Sequence, residues 1–208
     1  MKNSYYLTTI LFCDLCFREL FQGKVSGQEN VPLTGPFIVA PNHLSHLDPP
    51  MIGAVFRKRE MMFLGRKTLF KAGFWNTLLS HINVIPVDKE NIVNIRALKR
   101  AFAALRDGLG LVIFPEGTRS LDGYFGTAQP GIGFLACKTQ VPVIPVRIFG
   151  TYEILKKNCI IPNLYLSAQI VIGKALLPEQ YDHFRGEKDR YNRTADYIFE
   201  AIKHLTLP

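Results

Sequence analysis

Short apolar runs alternate with helix-periodic segments along most of this chain. Such runs are typical of buried or half-buried strands, and they predict strands at Phe37–Ala40, Met61–Leu64, Val84–Val87, Leu111–Phe114, Val143–Phe149 and Leu164–Ile172. Between them, apolar residues recur every three or four positions, as along one face of a helix; residues 91–106 and 188–205 show this most clearly. The alternation predicts an α/β fold with a mostly parallel central sheet flanked by helices.

The first 22 residues predict an amphipathic helix, from about Ser4 to Gln22. Asp14, Arg18 and Gln22 follow one another at i, i+4 spacing, and aromatic residues enrich the apolar surface: Tyr5, Tyr6, Phe12, Phe17 and Phe21. The uncharged run is shorter than the roughly 20 residues that cross a bilayer, and no small-residue cleavage site follows it. The pattern suits a membrane interface. Packing of the same helix on the core is an equally good alternative, and both can hold.

Length and charge narrow the picture further. With 208 residues, one domain over 1–208 is expected, divided into the helix 1–22, a motif-bearing core 23–175 and the C-terminal helix 188–205. Lys and Arg number 25 against 17 Asp and Glu, a net charge of +8, which indicates an anionic partner.

The four scattered cysteines do not form a disulfide framework. Cys13-x-x-Cys16 lies in a helix-periodic stretch with no second pair, so no redox or zinc site is expected.

The densest polar cluster, residues 41–49, follows the first clear strand. It contains an H-x4-D pair, His43 and Asp48. If a helix begins near Asp48, its carboxylate can fold back onto the imidazole, fix the tautomer and leave the other ring nitrogen free as a base. A histidine with an ordinary pKa of about 6.5 can take a proton from an alcohol at neutral pH. The alternative is that both are turn and helix-cap residues.

A second cluster, Pro115–Ser120, follows the strand predicted at 111–114. Gly117 lets backbone N–H groups approach an anion, Thr118 and Ser120 offer hydroxyls, and Arg119 offers a bidentate fork for phosphate. The carboxyl ends of strands in open α/β sheets are where such folds place their sites. A surface turn is the alternative, because these are also turn-forming residues.

A third feature is a basic run with one opposing acid, Glu60. It comprises Arg57, Lys58, Arg59, Arg66, Lys67 and Lys71. It can form a surface for anionic lipid or phosphate, or simply a solvated face.

Other chemistries fit the sequence less well. His43, His46 and Asp48 have the spacing H-x-x-H-x-D, no further histidine follows at ligand spacing, and no metal site is expected. No G-x-S-x-G occurs, which argues against a serine hydrolase. Nucleic acid is not an expected partner, because the basic residues interleave with apolar segments and no RRM, KH or helix-turn-helix pattern is present. Gly131-x-Gly133-x-x-Ala136 follows a loop rather than a strand, so we interpret it as loop-to-helix packing.

Residues 42–48, followed roughly 70 positions later by 114–120, resemble the glycerolipid acyltransferases, in particular the 1-acyl-glycerol-3-phosphate (lysophosphatidate) acyltransferases. Further matching segments follow in the same order at 63–70, 84–88, 141–146 and 150–152. Each of the two main motifs is moderately specific, and together at this spacing they are highly specific. The resemblance covers about residues 23–175.

The resemblance implies that His43 is the general base for the acceptor hydroxyl and that Asp48 orients it. Arg119 would pair with the phosphate of the acceptor, and Arg66 stands where the family usually carries lysine. The implied substrate-binding residues are Asn42, Ser45, Arg66, Phe114, Pro115, Glu116, Gly117, Thr118 and Arg119. Three departures from the family pattern concern the acceptor. Asn83 replaces a frequent glycine, at a position where Asn tolerates a left-handed backbone, and Lys89 replaces a frequent arginine. The segment before Gly131 lacks the lysine that the family often has there.

The implied reaction moves a fatty acyl group from acyl-CoA or acyl-carrier protein to the sn-2 hydroxyl of 1-acyl-glycerol-3-phosphate, giving phosphatidic acid. Glycerol-3-phosphate or another lysophospholipid is an alternative acceptor, and a non-enzymatic anionic-surface binding protein is a weaker alternative. No cofactor or metal is expected, because a thioester is already activated. The implied partners are a lysophospholipid acceptor, an acyl thioester donor and an anionic membrane surface, with the protein peripheral on the cytoplasmic face of a membrane.

Overall fold

Strands and helices alternate in the computed structural model, which describes residues 4–70, 82–87, 95–156, 159 and 161–208. The strands are β1 (Lys24–Ser26), β2 (Phe37–Pro41), β3 (Met61–Arg66), β4 (Val84–Val87), β5 (Gly110–Val112), β6 (Val143–Phe149) and β7 (Gln169–Ile172). The α-helices are α1 (Ser4–Leu15), α2 (Asp48–Val55), α3 (Ile95–Arg106), α4 (Pro130–Thr139), α5 (Thr151–Ile154), α6 (Pro178–Tyr181) and α7 (Arg190–Lys203). A π-helical turn, Cys16–Leu20, continues α1, and short 3₁₀ turns span Gln28–Asn30 and Lys67–Leu69.

The seven strands form one sheet in the order β1-β7-β6-β2-β5-β3-β4. Neighbouring strands are parallel except β6 and β7. The predicted α/β fold with a mostly parallel sheet and flanking helices is therefore confirmed. Because β6, β2, β5 and β3 run parallel side by side, their carboxyl ends meet at one edge of the sheet, and both motif loops start there.

Side chains of the central strand β2 alternate between two apolar cores, one on each face of the sheet. Phe37 and Val39 belong to the core that includes α2 and the turn after α1. Ile38 and Ala40 belong to the core that includes α3, α4 and α7. Successive strand residues point to opposite faces, and a parallel sheet covered on both sides needs apolar residues at every position. The unbroken apolar run of this strand follows from that burial.

The strand bounds differ from the predictions at several places, among them the predicted strand Leu111–Phe114, which is β5, Gly110–Val112. Strand β1 was not predicted, because three half-exposed residues at the sheet edge are too short for a periodic pattern. The predicted strand Leu164–Ile172 is shortened to β7, since Leu164 and Tyr165 are exposed and lie in the preceding loop. Helices α3 and α7 lie within the two predicted segments, although residues 91–94 are outside the described part of the chain.

Of two predictions about the backbone, the one for Asn83 is confirmed and the one for the glycine motif is only partly right. Asn83, just before β4, has a φ of +56°, in the left-handed region that asparagine tolerates. Gly133 lies in α4 where a Cβ would come within 2.0 Å of the Tyr191 carbonyl oxygen of α7. Gly133 therefore allows close packing of two helices, whereas loop-to-helix packing was predicted for both glycines, and a Cβ at Gly131 would meet no atom within 4 Å.

The N-terminal helix turns its acidic side chain inwards. Asp14 is buried and accepts hydrogen bonds from Arg18 Nε at 2.9 Å and from Arg57 Nη1 at 2.7 Å. Asp14, the first residue of the predicted polar stripe, therefore faces the protein interior, where it joins α1 to the residues after α2. The helix also ends earlier than predicted, at Leu15, where the π-helical turn begins.

Some aromatic residues of this segment pack on the core, and others are exposed as expected for a membrane interface. Tyr6, Phe17 and Phe21 are buried, whereas Tyr5 and Phe12 are 67% and 66% exposed. Three leucines of the same helix, Leu7, Leu11 and Leu15, are exposed with them. One face thus packs on the core and another presents apolar side chains to the surroundings. Within the described residues, no helix combines the length and apolarity needed to cross a bilayer.

Two arginines of the basic run contact the protein itself. Arg57 pairs with Asp14, and Arg59 donates to the carbonyl oxygens of Pro32, Gly35 and Gly108 while its guanidinium lies over the Phe37 ring. Arg59 therefore has a structural role, since it joins three loops through their carbonyl oxygens. Lys71 lies outside the described residues.

Candidate active site

His43 and Asp48 meet at the carboxyl edge of the sheet. The loop after β2 carries His43, and Asp48 is the first residue of α2. His43 Nδ1 donates to Asp48 Oδ2 at 2.8 Å, and the same oxygen accepts the backbone N–H groups of Leu44 and Ser45, each at 2.7 Å. Because Nδ1 carries the donated proton, Nε2 holds the free lone pair of the ring. The pair has the arrangement of a base and its orienting carboxylate.

The imidazole is held from its flat side as well. The His43 and Phe114 rings stack with centroids 4.1 Å apart and an interplanar angle of 28°. Phe114 follows β5, the parallel neighbour of β2, so the sheet itself brings the two motifs together. The Asp48 side chain has no exposed surface, whereas 16% of the His43 side chain is exposed. The histidine can therefore meet a substrate while its partner cannot.

One backbone hydrogen bond joins the second motif loop to the first, and another joins it to the residue before α4. Ser120 N–H donates to the His43 carbonyl oxygen at 2.8 Å, and Gln129 N–H donates to that of Pro115 at 2.8 Å. The loop turns at Gly117, whose φ of +62° is a conformation that favours glycine. A hydrogen bond therefore joins the two motifs next to the imidazole.

Glu116 uses both of its carboxylate oxygens in hydrogen bonds. Oε1 accepts the N–H of His43 and Oε2 accepts the N–H of Gly126, each at 2.9 Å. Burial raises the pKa of Glu116, and the two backbone hydrogen bonds oppose that shift. The observed contacts give this side chain a role in holding the loops, and a direct contact with substrate stays a prediction.

Positive side chains gather next to the His–Asp pair. Arg66 ends β3 and donates from Nη2 to the Gly117 carbonyl oxygen at 3.3 Å, which brings it to the loop that carries Arg119. Burial lowers the pKa of Arg119, and the nearby charge of Arg66 lowers it further. Burial also lowers the pKa of His46, with Arg119 and His43 acting in the same direction. Such mutual repulsion marks a place where an anion would be stabilised.

The remaining predicted binding residues fall into two groups. Asn42 and Ser45 are buried: Asn42 exchanges two hydrogen bonds with the backbone of Ile148, and Ser45 Oγ donates to the Leu155 carbonyl oxygen at 2.8 Å. Thr118, by contrast, lines a surface depression with Arg119 and residues of 120–129. The structure thus brings all predicted residues to one edge, with the first two turned into the protein.

One residue at this edge was not predicted to have a role. Thr151, the first residue of α5, is buried and donates from Oγ1 to Asp48 Oδ1 at 2.7 Å. Two signals were available: Thr151 lies two positions after the predicted strand 143–149, since β6 is a parallel neighbour of β2, and it belongs to the family-like segment 150–152. In the described residues, no group of three or more His, Cys, Asp or Glu side chains could hold a metal ion.

Known proteins are similar to this chain over the residues that form the site. The family model described as Acyltransferase matches residues 22–149, which include both motifs. A 1-acyl-sn-glycerol-3-phosphate acyltransferase of Borreliella burgdorferi is 32% identical over 70% of this chain and 58% of its own length. A chloroplastic protein of the same name from Brassica napus is 28% identical over 74% of this chain, and only 45% of that protein is covered. The chain thus spans about half the length of these curated relatives.

A solved structure is similar over more of its length. The crystal structure of the 1-acyl-sn-glycerophosphate acyltransferase PlsC from Thermotoga maritima superposes with a TM-score of 0.76 at 30% identity, covering 94% of this chain and 76% of that one. Because the family model matches well over half of the chain, and includes the His–Asp pair and the arginine loop, the chain belongs to the Acyltransferase family.

Proposed function

We propose that the protein is a 1-acyl-glycerol-3-phosphate acyltransferase that moves a fatty acyl group from a thioester to the sn-2 hydroxyl of its acceptor. The observation that carries the proposal is the His43–Asp48 hydrogen bond of 2.8 Å beside the Arg66 and Arg119 side chains. This arrangement supports a general base that works beside a phosphate-binding site. The similar proteins are named as acyltransferases of 1-acyl-sn-glycerol-3-phosphate, or 1-acyl-sn-glycerophosphate, which supports this acceptor.

His43 would act as the general base. Its Nε2 takes the proton of the acceptor hydroxyl as the oxygen attacks the thioester carbonyl carbon. The new C–O bond forms, the C–S bond breaks, and the leaving thiolate recovers a proton from the imidazolium. Asp48 keeps the ring oriented and stabilises its positive charge while it holds that proton. Because the thioester is already activated, this route needs no metal, no cofactor and no acyl-enzyme.

The test is a thiol-release assay on a grid of substrates. Palmitoyl-CoA and palmitoyl-acyl-carrier protein serve as donors, each offered with lysophosphatidate, glycerol-3-phosphate and lysophosphatidylcholine. We expect release with lysophosphatidate and the formation of phosphatidic acid. Faster thiol release with glycerol-3-phosphate would replace lysophosphatidate as the assigned acceptor. The thioester that gives the faster release would identify the donor. Release with none of the acceptors would contradict the proposal.

The phosphate role of Arg119 predicts a specific kinetic change. Arg119→Ala removes a bidentate partner of the acceptor phosphate, so the acceptor KM should rise about 10- to 100-fold, with a much smaller change in kcat. Arg119→Lys should recover part of the loss, because the charge returns without the fork. Arg106→Ala, on the exposed end of α3 with 80% of its side chain exposed, is the matched control. An unchanged acceptor KM in Arg119→Ala would contradict the phosphate role.

The exposed apolar face of α1 supports peripheral membrane binding, which brings the enzyme to lipid substrates. Phe12→Asp is expected to weaken partition onto phosphatidylglycerol–phosphatidylcholine vesicles about 10-fold or more, since burial of an aromatic side chain is worth roughly 2 kcal/mol. The measurement is co-sedimentation across a lipid titration. Tyr197→Asp is the control, because this exposed aromatic lies on α7, which packs against the other face of the sheet. Equal weakening in both variants would argue against α1 as the contact.

A further inference from the structure

The carboxylate of Asp48 is held at both oxygens, from two distant parts of the chain. Oδ2 takes three donors of its own loop: His43 Nδ1 and the N–H groups of Leu44 and Ser45. Oδ1 takes the hydroxyl of Thr151, 103 positions away, at 2.7 Å. Asp48 and Thr151 both have 0% exposure. All four partners donate, so the carboxylate acts as acceptor in every contact.

Thr151 belongs to a segment that supports the catalytic loop at three points. Asn42 Nδ2 donates to the Ile148 carbonyl oxygen at 3.0 Å, and Ile148 N–H donates to Asn42 Oδ1 at 2.6 Å. At the other end, Ser45 Oγ donates to the carbonyl oxygen of Leu155 at 2.8 Å. The segment 148–155 is therefore joined to the beginning, middle and end of residues 42–48. Of these contacts, that of Thr151 reaches the carboxylate itself.

The Thr151 hydroxyl adds a constraint that the loop contacts do not. The last torsion of an Asp side chain is broad and roughly two-fold. Donors that converge on one oxygen fix the position of that oxygen, while a donor on the other oxygen also fixes the plane of the carboxylate. Without the hydroxyl, a buried charged oxygen loses its partner, which is costly enough to make the group rotate or draw in water. Rotation would carry the imidazole with it, because Oδ2 holds Nδ1.

We propose that Thr151 is a positioning residue of the acyl-transfer site, which fixes the Asp48 carboxylate and through it the orientation of His43. This role rests on the proposed function, in which His43 is the base. Thr151 lies beyond residues 22–149, the part matched by the family model. The residues that hold His43 and Asp48 in place thus come from the turn after β6 as well as from the two motif loops.

The test compares Thr151→Val, which keeps the shape and loses the hydroxyl, with Thr151→Ser, which keeps the hydroxyl. For the donor and acceptor that turn over best, Thr151→Val should lower kcat about 10- to 100-fold and leave both KM values within about twofold. Thr151→Ser should stay within about threefold of wild type. Thr194→Val is the matched control, because it removes another buried threonine hydroxyl, bonded to the Tyr181 carbonyl oxygen on the far helices. It should leave kcat unchanged, and wild-type kcat in Thr151→Val would overturn the proposal.

A double-mutant cycle separates action through Asp48 from a general structural effect. In an Asp48→Ala background, Thr151→Val should have no further effect on single-turnover rates, because its target is gone. An equal loss in both backgrounds would overturn the positioning role. Wild-type turnover in Asp48→Ala alone would instead contradict the His–Asp base of the proposed function.

A spectroscopic readout tests the positioning without any turnover. In protein labelled with ¹⁵N-histidine, the ring nitrogen shifts of His43 report the hydrogen bond at Nδ1. Thr151→Val should change these shifts, whereas Thr151→Ser and Thr194→Val should preserve them. Unchanged His43 shifts in Thr151→Val would overturn the proposal even if the enzyme's substrate differs from the one proposed. If Thr151→Val does not fold, Thr151→Ala with the same measurements replaces it.

Discussion

Replacement of His43 by alanine is expected to lower kcat about a thousandfold while the protein stays folded. General base catalysis contributes about 10²- to 10⁴-fold, and in the proposed mechanism the base is the Nε2 lone pair, which the His43–Asp48 contact of 2.8 Å would orient. The acceptor KM should change little, since the phosphate is assigned to the arginines. The measurement is steady-state thiol release, accompanied by thermal unfolding of the same preparation.

His204→Ala is the matched control for this loss. His204 is exposed at the end of α7, and its Nδ1 contacts the Glu200 carbonyl oxygen. Its removal should leave turnover at the wild-type level. Normal turnover in His43→Ala, with an unfolding temperature equal to that of wild type, would exclude the imidazole as the base and would leave acyl transfer to another group.

A second large effect is expected far from the site, at Asp182. Asp182→Asn should lower the free energy of unfolding by about 3 kcal/mol, because removal of one partner of a buried ion pair leaves the other uncompensated. For a chain of this size that corresponds to a fall of about 10 °C in Tm. Turnover of the variant, measured well below its Tm, should remain normal. Asp107→Asn, whose side chain is 62% exposed beside Arg106, is the control and should change stability by less than about 0.5 kcal/mol.

The reason lies in the contacts of this carboxylate. Asp182 has no exposed side-chain surface, and it accepts from Arg190 Nε at 2.7 Å, Arg190 Nη2 at 2.6 Å and Gln140 Nε2 at 2.7 Å. It therefore joins the ends of α4 and α6 to the beginning of α7. Arg185 also contacts it, but that side chain is 67% exposed and contributes little.

The same site predicts a pH dependence of stability. Burial alone would raise the pKa of Asp182, but the hydrogen bonds from Arg190, Cys137, Gln140 and Arg185 outweigh it and hold the pKa well below its usual range. Because the folded pKa lies below the unfolded value of about 3.9, the stabilisation is complete above about pH 5 and is lost as the pH falls through the folded pKa. The stability difference between wild type and Asp182→Asn should therefore shrink below about pH 4. A difference that stays constant down to pH 2 would contradict this origin.

Local patterns were sufficient for much of the fold and for the members of the candidate site. The strand β2 was predicted because burial on both faces requires an unbroken apolar run, and α2 was expected near Asp48, where the structure begins it. The His43–Asp48 contact spans five positions, so a motif can encode it. The loop 114–120 was also recognised as a unit, and its meeting with the first motif follows from the pairing of β2 with β5.

Other features could not be predicted from local pattern. Asp14 lies at a helix position that could face water, and it is buried because Arg57, 43 positions later, is close enough to pair with it. Arg59 belongs to a basic run, yet its guanidinium binds three carbonyl oxygens of loops that the sheet brings together. Charge along the sequence indicates an anionic partner but not which cations the fold itself uses.

The sequence by itself determined the alternation of strands and helices, the two motif loops and the chemistry that their side chains can perform. These are local properties, since periodicity and motif spacing act over a few residues. The tertiary structure alone decided which loops touch. Strand order places β6 beside β2, so Thr151 reaches Asp48 across 103 positions, and Asn42 and Ser45 form hydrogen bonds with the backbone of β6 and of the residues after it. Contacts of that length depend on how the sheet is assembled, and no short stretch of the chain encodes them.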